Sequence, residues 1–173
     1  MSTRPFPTRR SIRLQSYDYS RAGFYFVTII TRDRGNVFGE IVDAELQPND
    51  AGRMVTDVWS AMPSHYVGVG LDTFVLMPDH VHGIITLDSS RERTLSLTDV
   101  VHRFKTMTTT RYIDGVKTSG WPRFPAHLWK RSYYEHVIRS ERAFEHIRSY
   151  IAGNPRRWWE RSGPARGPAP TGF

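Results

Sequence analysis

Two histidines stand one residue apart in the segment VLMPDHVHGIITL, residues 75–87. The apolar residues around them favour a β-strand, which would project His80 and His82 from one face and point Val81 and Ile85 to the other, core face. Two imidazole nitrogens on one face can bind the same divalent metal ion. Such a pair is more often an ordinary surface feature, and alone it makes an incomplete site. A third ligand is therefore expected from elsewhere in the fold.

The segment FEHIRSYIAGNPRRW near the end of the chain offers that ligand. Its apolar spacing predicts a helix from about Ser140 to Gly153, and Tyr150 and Asn154, four residues apart, would share one side of it. A phenol can act as a nucleophile when a nearby metal balances the developing charge. A side-chain amide oxygen suits Mg²⁺ or Mn²⁺. An isolated tyrosine is commonly structural, so only the combination of the two motifs indicates a reactive site.

Three further residues near these motifs each have two interpretations. His146, one turn before Tyr150, could help to deprotonate or orient the phenol, or it could be a simple surface residue. Tyr133 and Tyr134 could be rival nucleophiles. They fall in a strand-like run, however, where neighbouring side chains alternate, so one of them is expected to face the core.

The elements that must hold these residues alternate along the chain. Strands are predicted over residues 24–31, 72–77, 80–87 and 128–138, and helices over residues 49–62, 94–113 and 140–153. The first helix would end at Pro63, and Pro78-Asp79 would turn a hairpin whose second strand begins with the histidines. This order predicts a single α+β domain built on a mostly antiparallel sheet.

Length and composition set the class of protein. A chain of 173 residues is the size of one domain. We expect a core over about residues 22–159, with a mobile arm (1–21) and a mobile Pro/Gly-rich tail (160–173). The absence of cysteine excludes disulfides and thiolate zinc sites and fits a reducing cytoplasm. No apolar run approaches the roughly 20 residues needed to cross a bilayer, so no membrane association is expected.

The charge is unevenly distributed. The chain carries a net charge of +7, and the positive excess lies in residues 1–31 and from residue 80 onward, whereas residues 32–79 are net acidic. This asymmetry suggests a polyanionic partner such as nucleic acid, although a merely basic, soluble protein would look similar. Numerous aromatic residues among the basic ones could stack on unpaired bases.

The motifs LMPDHVHGII and LWKRSYYEHVIRSERAFEHIRSYIAGNPRRW together resemble the single-tyrosine HUH transposases of the insertion-sequence type, most closely the REP-associated tyrosine transposases of bacteria. The resemblance runs from about residue 24 to residue 158 and implies a ferredoxin-like HUH endonuclease fold. In that family the two histidines bind the metal and the tyrosine attacks DNA, roles that fall on His80, His82 and Tyr150. Asn154 matches the third metal ligand, which is glutamine in many relatives.

The resemblance implies a metal-dependent endonuclease and strand transferase acting on single-stranded DNA near REP-like hairpins, through a 5′-phosphotyrosine intermediate. Mg²⁺ or Mn²⁺ would be the cofactor, and the enzyme would be a monomer or homodimer. Candidate DNA contacts are Arg103, Lys105, Arg111, Arg156, Arg157 and Trp158. Two alternatives are a non-catalytic hairpin-binding protein and a hydrolase that uses a metal-bound water.

Overall fold

The computed structural model describes residues 18–33, 35–88 and 95–162. The predicted arm and tail lie almost wholly outside these ranges. Six strands and four helices follow one another within the described part: β1 Gly23–Ile30, β2 Gly39–Val42, β3 Glu45–Pro48, α1 Asp50–His65, β4 Val69–Met77, β5 His80–Leu87, α2 Leu97–Thr118, β6 Tyr134–Ile138, α3 Glu141–Ala152 and α4 Asn154–Ser162. None of the described helices is long and apolar enough to span a bilayer.

The main sheet has the strand order β4-β5-β1-β6, and every pairing in it is antiparallel. The predicted α+β domain with an antiparallel sheet is therefore confirmed. The histidine strand β5 lies between β4 and β1, and the two-residue turn Pro78-Asp79 joins β4 to β5 as predicted. Both histidines thus stand on an inner strand, held by a neighbour on each side.

The two faces of the sheet bury different sets of side chains. On one face, Val81 and Ile85 pack with residues of α1 and α2 such as Trp59 and Phe104 in the larger core. On the other face, a smaller cluster packs Ile84 of β5 and residues of β1 and β6 against Ile151 of α3. Because side chains alternate along a strand, the histidines share the face of Ile84. The predicted split between core face and histidine face is therefore confirmed.

Two features near the first helix were not predicted correctly. The β2–β3 hairpin was missed; its turn residues Asp43 and Ala44 have φ values of 51° and 64°, the left-handed conformation that a type I′ hairpin turn requires at both positions. The first helix does not stop at Pro63 but continues to His65. A proline this close to the end removes only one backbone hydrogen bond, so the last turn can form around it.

The strand predicted over residues 128–138 is shorter in the structure, because β6 covers only residues 134–138. Trp129 forms an isolated bridge to Thr31. Between these two points, the Lys105 ammonium group donates to the backbone carbonyls of residues 130, 131 and 132, at 3.0, 3.3 and 3.4 Å. These three carbonyls accept from a side chain in the part of the predicted strand that lies before β6.

Candidate active site

The turn that precedes His80 is fixed from two sides. The backbone carbonyl of Asp79 accepts hydrogen bonds from the Thr31 N–H and the Thr31 hydroxyl, both at 2.9 Å. The buried Asp79 carboxylate lies 2.5 Å from His80 Nδ1. A carboxylate that accepts from Nδ1–H fixes the ring orientation of a histidine and leaves Nε2 free to bind a metal. Asp79 is therefore a positioning residue for His80.

His82 is held by the neighbouring strand. Thr28 lies opposite it in the β1–β5 register, and the Thr28 hydroxyl lies 2.8 Å from His82 Nδ1. Burial, together with smaller contributions from His80 and Arg157 and against the opposing effect of Asp79, lowers the pKa of His82 to about 3. His82 is therefore neutral near pH 7, which is the state in which a histidine binds metal.

The two rings converge through their remaining nitrogens, because His80 Nε2 lies 3.1 Å from His82 Nε2. If each Nδ1 carries its proton toward the oxygen it faces, both Nε2 atoms present lone pairs to each other. Two facing acceptors repel unless a cation lies within reach of both. The arrangement thus has the donor set expected of two ligands of one metal ion.

Asn154 fits the role of third ligand by its chemistry. It is buried, and its Nδ2 donates to the Tyr150 backbone carbonyl at 3.2 Å, which leaves its Oδ1 as the atom for a metal. Over residues 18–33, 35–88 and 95–162, no three His, Asp or Glu side chains are grouped to hold a metal. An amide oxygen such as that of Asn154 is a ligand type that suits Mg²⁺ or Mn²⁺.

Tyr150 and Asn154 do not lie on one helix, contrary to the prediction. Helix α3 ends at the cap Gly153, as expected, but α4 begins directly afterwards with Asn154. Pro155, the second residue of α4, suits this start, because the missing N–H of a proline is not needed in the first turn of a helix. The Asn154 side chain nevertheless reaches back to Tyr150 across this junction.

The Tyr150 ring stands over the histidine strand. Its centre lies 5.5 Å from that of His82 and 6.0 Å from that of Phe26, both in edge-on arrangements. Phe26 in turn stacks on His82, with 5.6 Å between ring centres. Tyr150 keeps 40% of its surface exposed. The structure therefore brings a solvent-accessible phenol next to the histidine pair.

Two contacts fix the position of the helices that carry this site. Arg148 of α3 forms a two-pronged ion pair with Asp72 of β4, at 2.7 and 2.6 Å, and lowers the pKa of that carboxyl well below its usual range. Arg157 of α4 reaches back to Tyr150, where its guanidinium lies over the ring and donates to the backbone carbonyl. The first contact joins α3 to the sheet, and the second joins α4 to α3.

The six predicted DNA contacts divide between the two sides of the sheet. Arg156, Arg157 and Trp158 lie on α4 beside the site, and the Trp158 ring centre lies 5.9 Å from that of His80. Arg103, Lys105 and Arg111 lie on α2, whose apolar residues pack on the opposite face. Lys105 is engaged with backbone carbonyls, whereas Arg111 is exposed. Only the α4 group lies on the face of the histidines.

Two residues that hold the histidines, Asp79 and Thr28, were not identified from the sequence, and the auxiliary role of His146 stays a prediction. Asp79 was read only as a turn residue, although its position directly before His80 was a usable signal. Thr28 could not be found, because its role depends on the strand register. The predicted auxiliary residue His146 is exposed on α3.

This chain is similar to known proteins in sequence and in fold. A family model described as "Transposase IS200 like" matches residues 25–154. An uncharacterized protein of Haemophilus influenzae is 35% identical over 161 residues, which cover 87% of this chain and 89% of the relative. A solved structure of a REP-associated tyrosine transposase bound to a REP hairpin has a TM-score of 0.60 at 17% identity, covering 86% of this chain and 74% of that one. At this identity the structural likeness shows a shared fold.

Proposed function

This chain belongs to the IS200-like transposase family, and we propose that it cleaves and rejoins single-stranded DNA beside a hairpin through a covalent bond between Tyr150 and a 5′-phosphate. The observation that carries the proposal is the position of Tyr150, whose exposed ring lies 5.5 Å from that of His82. His82 in turn directs its Nε2 at that of His80. A nucleophile and a pair of metal-binding nitrogens thus meet at one point of the surface.

The residues present fit a divalent metal ion. His80, His82 and Asn154 would hold it, with Asp79 and Thr28 fixing the two imidazole rings from behind. Bound there, Mg²⁺ or Mn²⁺ would supply positive charge that polarises the scissile phosphate.

The reaction of the chain itself is a transesterification. The Tyr150 phenol loses its proton and its oxygen attacks the phosphorus, the bond from phosphorus to the 3′ oxygen breaks, and that oxygen takes up a proton. The number of phosphoester bonds is unchanged, so the 3′-hydroxyl of another strand can attack the phosphotyrosine and restore the tyrosine. Cleavage and joining therefore need no external energy source.

Charge and fold support a hairpin substrate of the REP type. The positive excess of the chain from residue 80 onward matches a polyanion. Arg156 and Arg157 place two of these charges beside the site. One solved structure with a similar fold is that of a REP-associated tyrosine transposase bound to a REP hairpin. We therefore propose the REP-associated type of transposase for this chain.

The test is incubation of the protein with labelled single-stranded hairpins taken from the flanks of its own gene, in Mg²⁺ or Mn²⁺. A covalent adduct should appear on a denaturing gel, with the 5′ end of the cleaved strand linked to a peptide that contains Tyr150. Binding without an adduct would instead support a non-catalytic hairpin-binding protein. Cleavage without an adduct would support hydrolysis by water.

A further inference from the structure

We infer that Tyr134 is a stacking platform for an unpaired nucleobase next to the scissile phosphate. The inference rests on the proposed function of the site and adds to it a contact with the substrate. Tyr134 is the first residue of β6 and pairs with Thr28 in the sheet. Thr28 in turn holds His82 through its hydroxyl. Tyr134 is thus the cross-strand neighbour of Thr28, and Thr28 positions the proposed metal ligand His82.

A row of rings connects Tyr134 to the site. Its ring centre lies 6.2 Å from that of Phe26, and Phe26 stacks on His82 at 5.6 Å. At the other end of the histidine pair, the Trp158 ring lies 5.9 Å from that of His80. Aromatic rings therefore stand on both sides of the two histidines, Tyr134 beyond His82 and Trp158 beyond His80.

Tyr134 is exposed in a way that packing does not explain. It keeps 46% of its surface accessible, whereas the adjacent Tyr133 keeps 9%. Tyr133 faces the larger core, with its hydroxyl 3.4 Å from that of Thr98 and the Lys105 ammonium group over its ring. The alternation of the strand thus assigns Tyr133 to packing and leaves Tyr134 as an apolar ring presented to solvent on the histidine face.

The backbone that leads to Tyr134 is fixed before any substrate arrives. Lys105 donates to three consecutive carbonyls, those of residues 130–132, directly before the tyrosine pair. Binding to a ring on such a support requires little ordering of the protein. Arg131, also exposed, adds a positive charge in the same segment. An exposed ring three residues after an exposed basic residue suits an unpaired base with its phosphate, since stacking tolerates any base.

The test combines a protein variant with a scan of the DNA. Single abasic nucleotides are placed in turn along the unpaired segment beside the hairpin, and affinity is measured in chelator, where no cleavage occurs. For the wild type, one abasic position should weaken binding roughly 10-fold. Tyr134→Ala should weaken binding to intact DNA by a similar factor and show no further loss at that position. Tyr134→Phe, which keeps the ring, should behave as the wild type.

His136→Ala is the matched control, because His136 is exposed on the same face of the same strand. It should leave the abasic profile unchanged, and thermal unfolding should confirm that all variants are folded. An unchanged profile in folded Tyr134→Ala would overturn the inference. The adduct assay is a separate readout. If the wild type forms the adduct but Tyr134→Ala keeps the wild-type abasic profile, only the stacking role is contradicted. If the abasic profiles are as expected but the wild type forms no adduct, only the catalytic function is contradicted.

Discussion

The guanidinium of Arg157 lies over the ring of Tyr150, with 4.6 Å between its central carbon and the ring centre, and donates to the Tyr150 backbone carbonyl. The residue between the two helices is Gly153, where an added Cβ would lie 2.9 Å from Arg157 Nη1. The Arg157 side chain can therefore reach Tyr150 because Gly153, which it passes, has no side chain.

We expect Arg157→Ala to slow formation of the Tyr150 adduct by about 5-fold at saturating DNA, the size of one exposed cation–π contact. Saturation separates this positioning effect from any loss of phosphate binding. Gly153→Ala should slow the same step, because its Cβ crowds the arginine. Single-turnover rates of adduct formation measure both effects, and wild-type rates in both variants would show that the contact has no part in the reaction.

Tyr150→Phe should abolish the adduct completely. The change removes one oxygen and keeps the ring that contacts His82 and Phe26, so folding and hairpin affinity should stay close to those of the wild type. Tyr133→Phe is the control, since that buried ring faces the core and its variant should retain the adduct. Peptide mapping of the adduct to Tyr133 or Tyr134 would contradict the assignment.

His80→Ala and His82→Ala should each abolish cleavage and leave hairpin binding within a few-fold of the wild type, since phosphate and base contacts lie mostly elsewhere. Chelator should have the same effect on the wild type, and Mg²⁺ or Mn²⁺ should restore only the wild type. Thr28→Val removes the hydroxyl that faces His82 Nδ1, and we expect it to raise the metal concentration needed for half-maximal cleavage. Full activity in chelator would rule out the metal site.

Asp72→Asn should destabilise the protein at neutral pH, since Arg148 stabilises the ionised carboxylate. The native pKa of Asp72 is lowered from an ordinary value of 3.8. The native carboxylate therefore stays ionised at a pH where the unfolded one takes up a proton, and its stabilising contribution declines as pH falls below about 4. Urea unfolding of both proteins at pH 7, 5 and 3.5 should show the difference shrinking only at the lowest pH.

The partner variant provides an internal check on this ion pair. If Asp72 and Arg148 act through each other, Asp72→Asn combined with Arg148→Gln should be little less stable than either single variant. Fully additive losses would mean that the two residues stabilise the fold independently.

Gly83→Ala should cost about 1–3 kcal/mol of unfolding free energy, because overpacking a filled core forces neighbours out of place. Gly83 lies between His82 and Ile84 on β5, and a Cβ there would come within 2.3 Å of the Trp59 ring. Gly35→Ala is the control, since nothing lies within 4 Å of its added Cβ, and it should change stability by less than about 0.5 kcal/mol. Urea unfolding gives both values, and equal effects would contradict the packing argument.

The parts of this structure that the sequence predicted are those set by short-range patterns. The alternation around His80 and His82 was enough to assign them to the face opposite Val81, and the apolar spacing in FEHIRSYIAGNPRRW predicted helix α3, in which Ile151 is buried. Each of these patterns lies within one element, where the period of the strand or helix decides which face a residue takes.

The features that were missed depend on contacts between distant segments. Thr28 reaches His82 across 54 residues of sequence. Lys105 binds carbonyls about 25 residues away, in a segment that was predicted to be strand. Arg148 finds Asp72 only once α3 has packed on β4. None of these pairings leaves a periodic trace in the sequence, so only the folded chain reveals them.

The exposed position of Tyr150 bears on which strand ends are rejoined. A DNA end attached to this hydroxyl would lie at the protein surface, so an incoming 3′ end could reach it without a conformational change of the protein. Different 3′ ends would then compete according to their effective concentrations at the phosphotyrosine. An end tethered through a hairpin bound to the same molecule would have the advantage over one arriving from bulk solution.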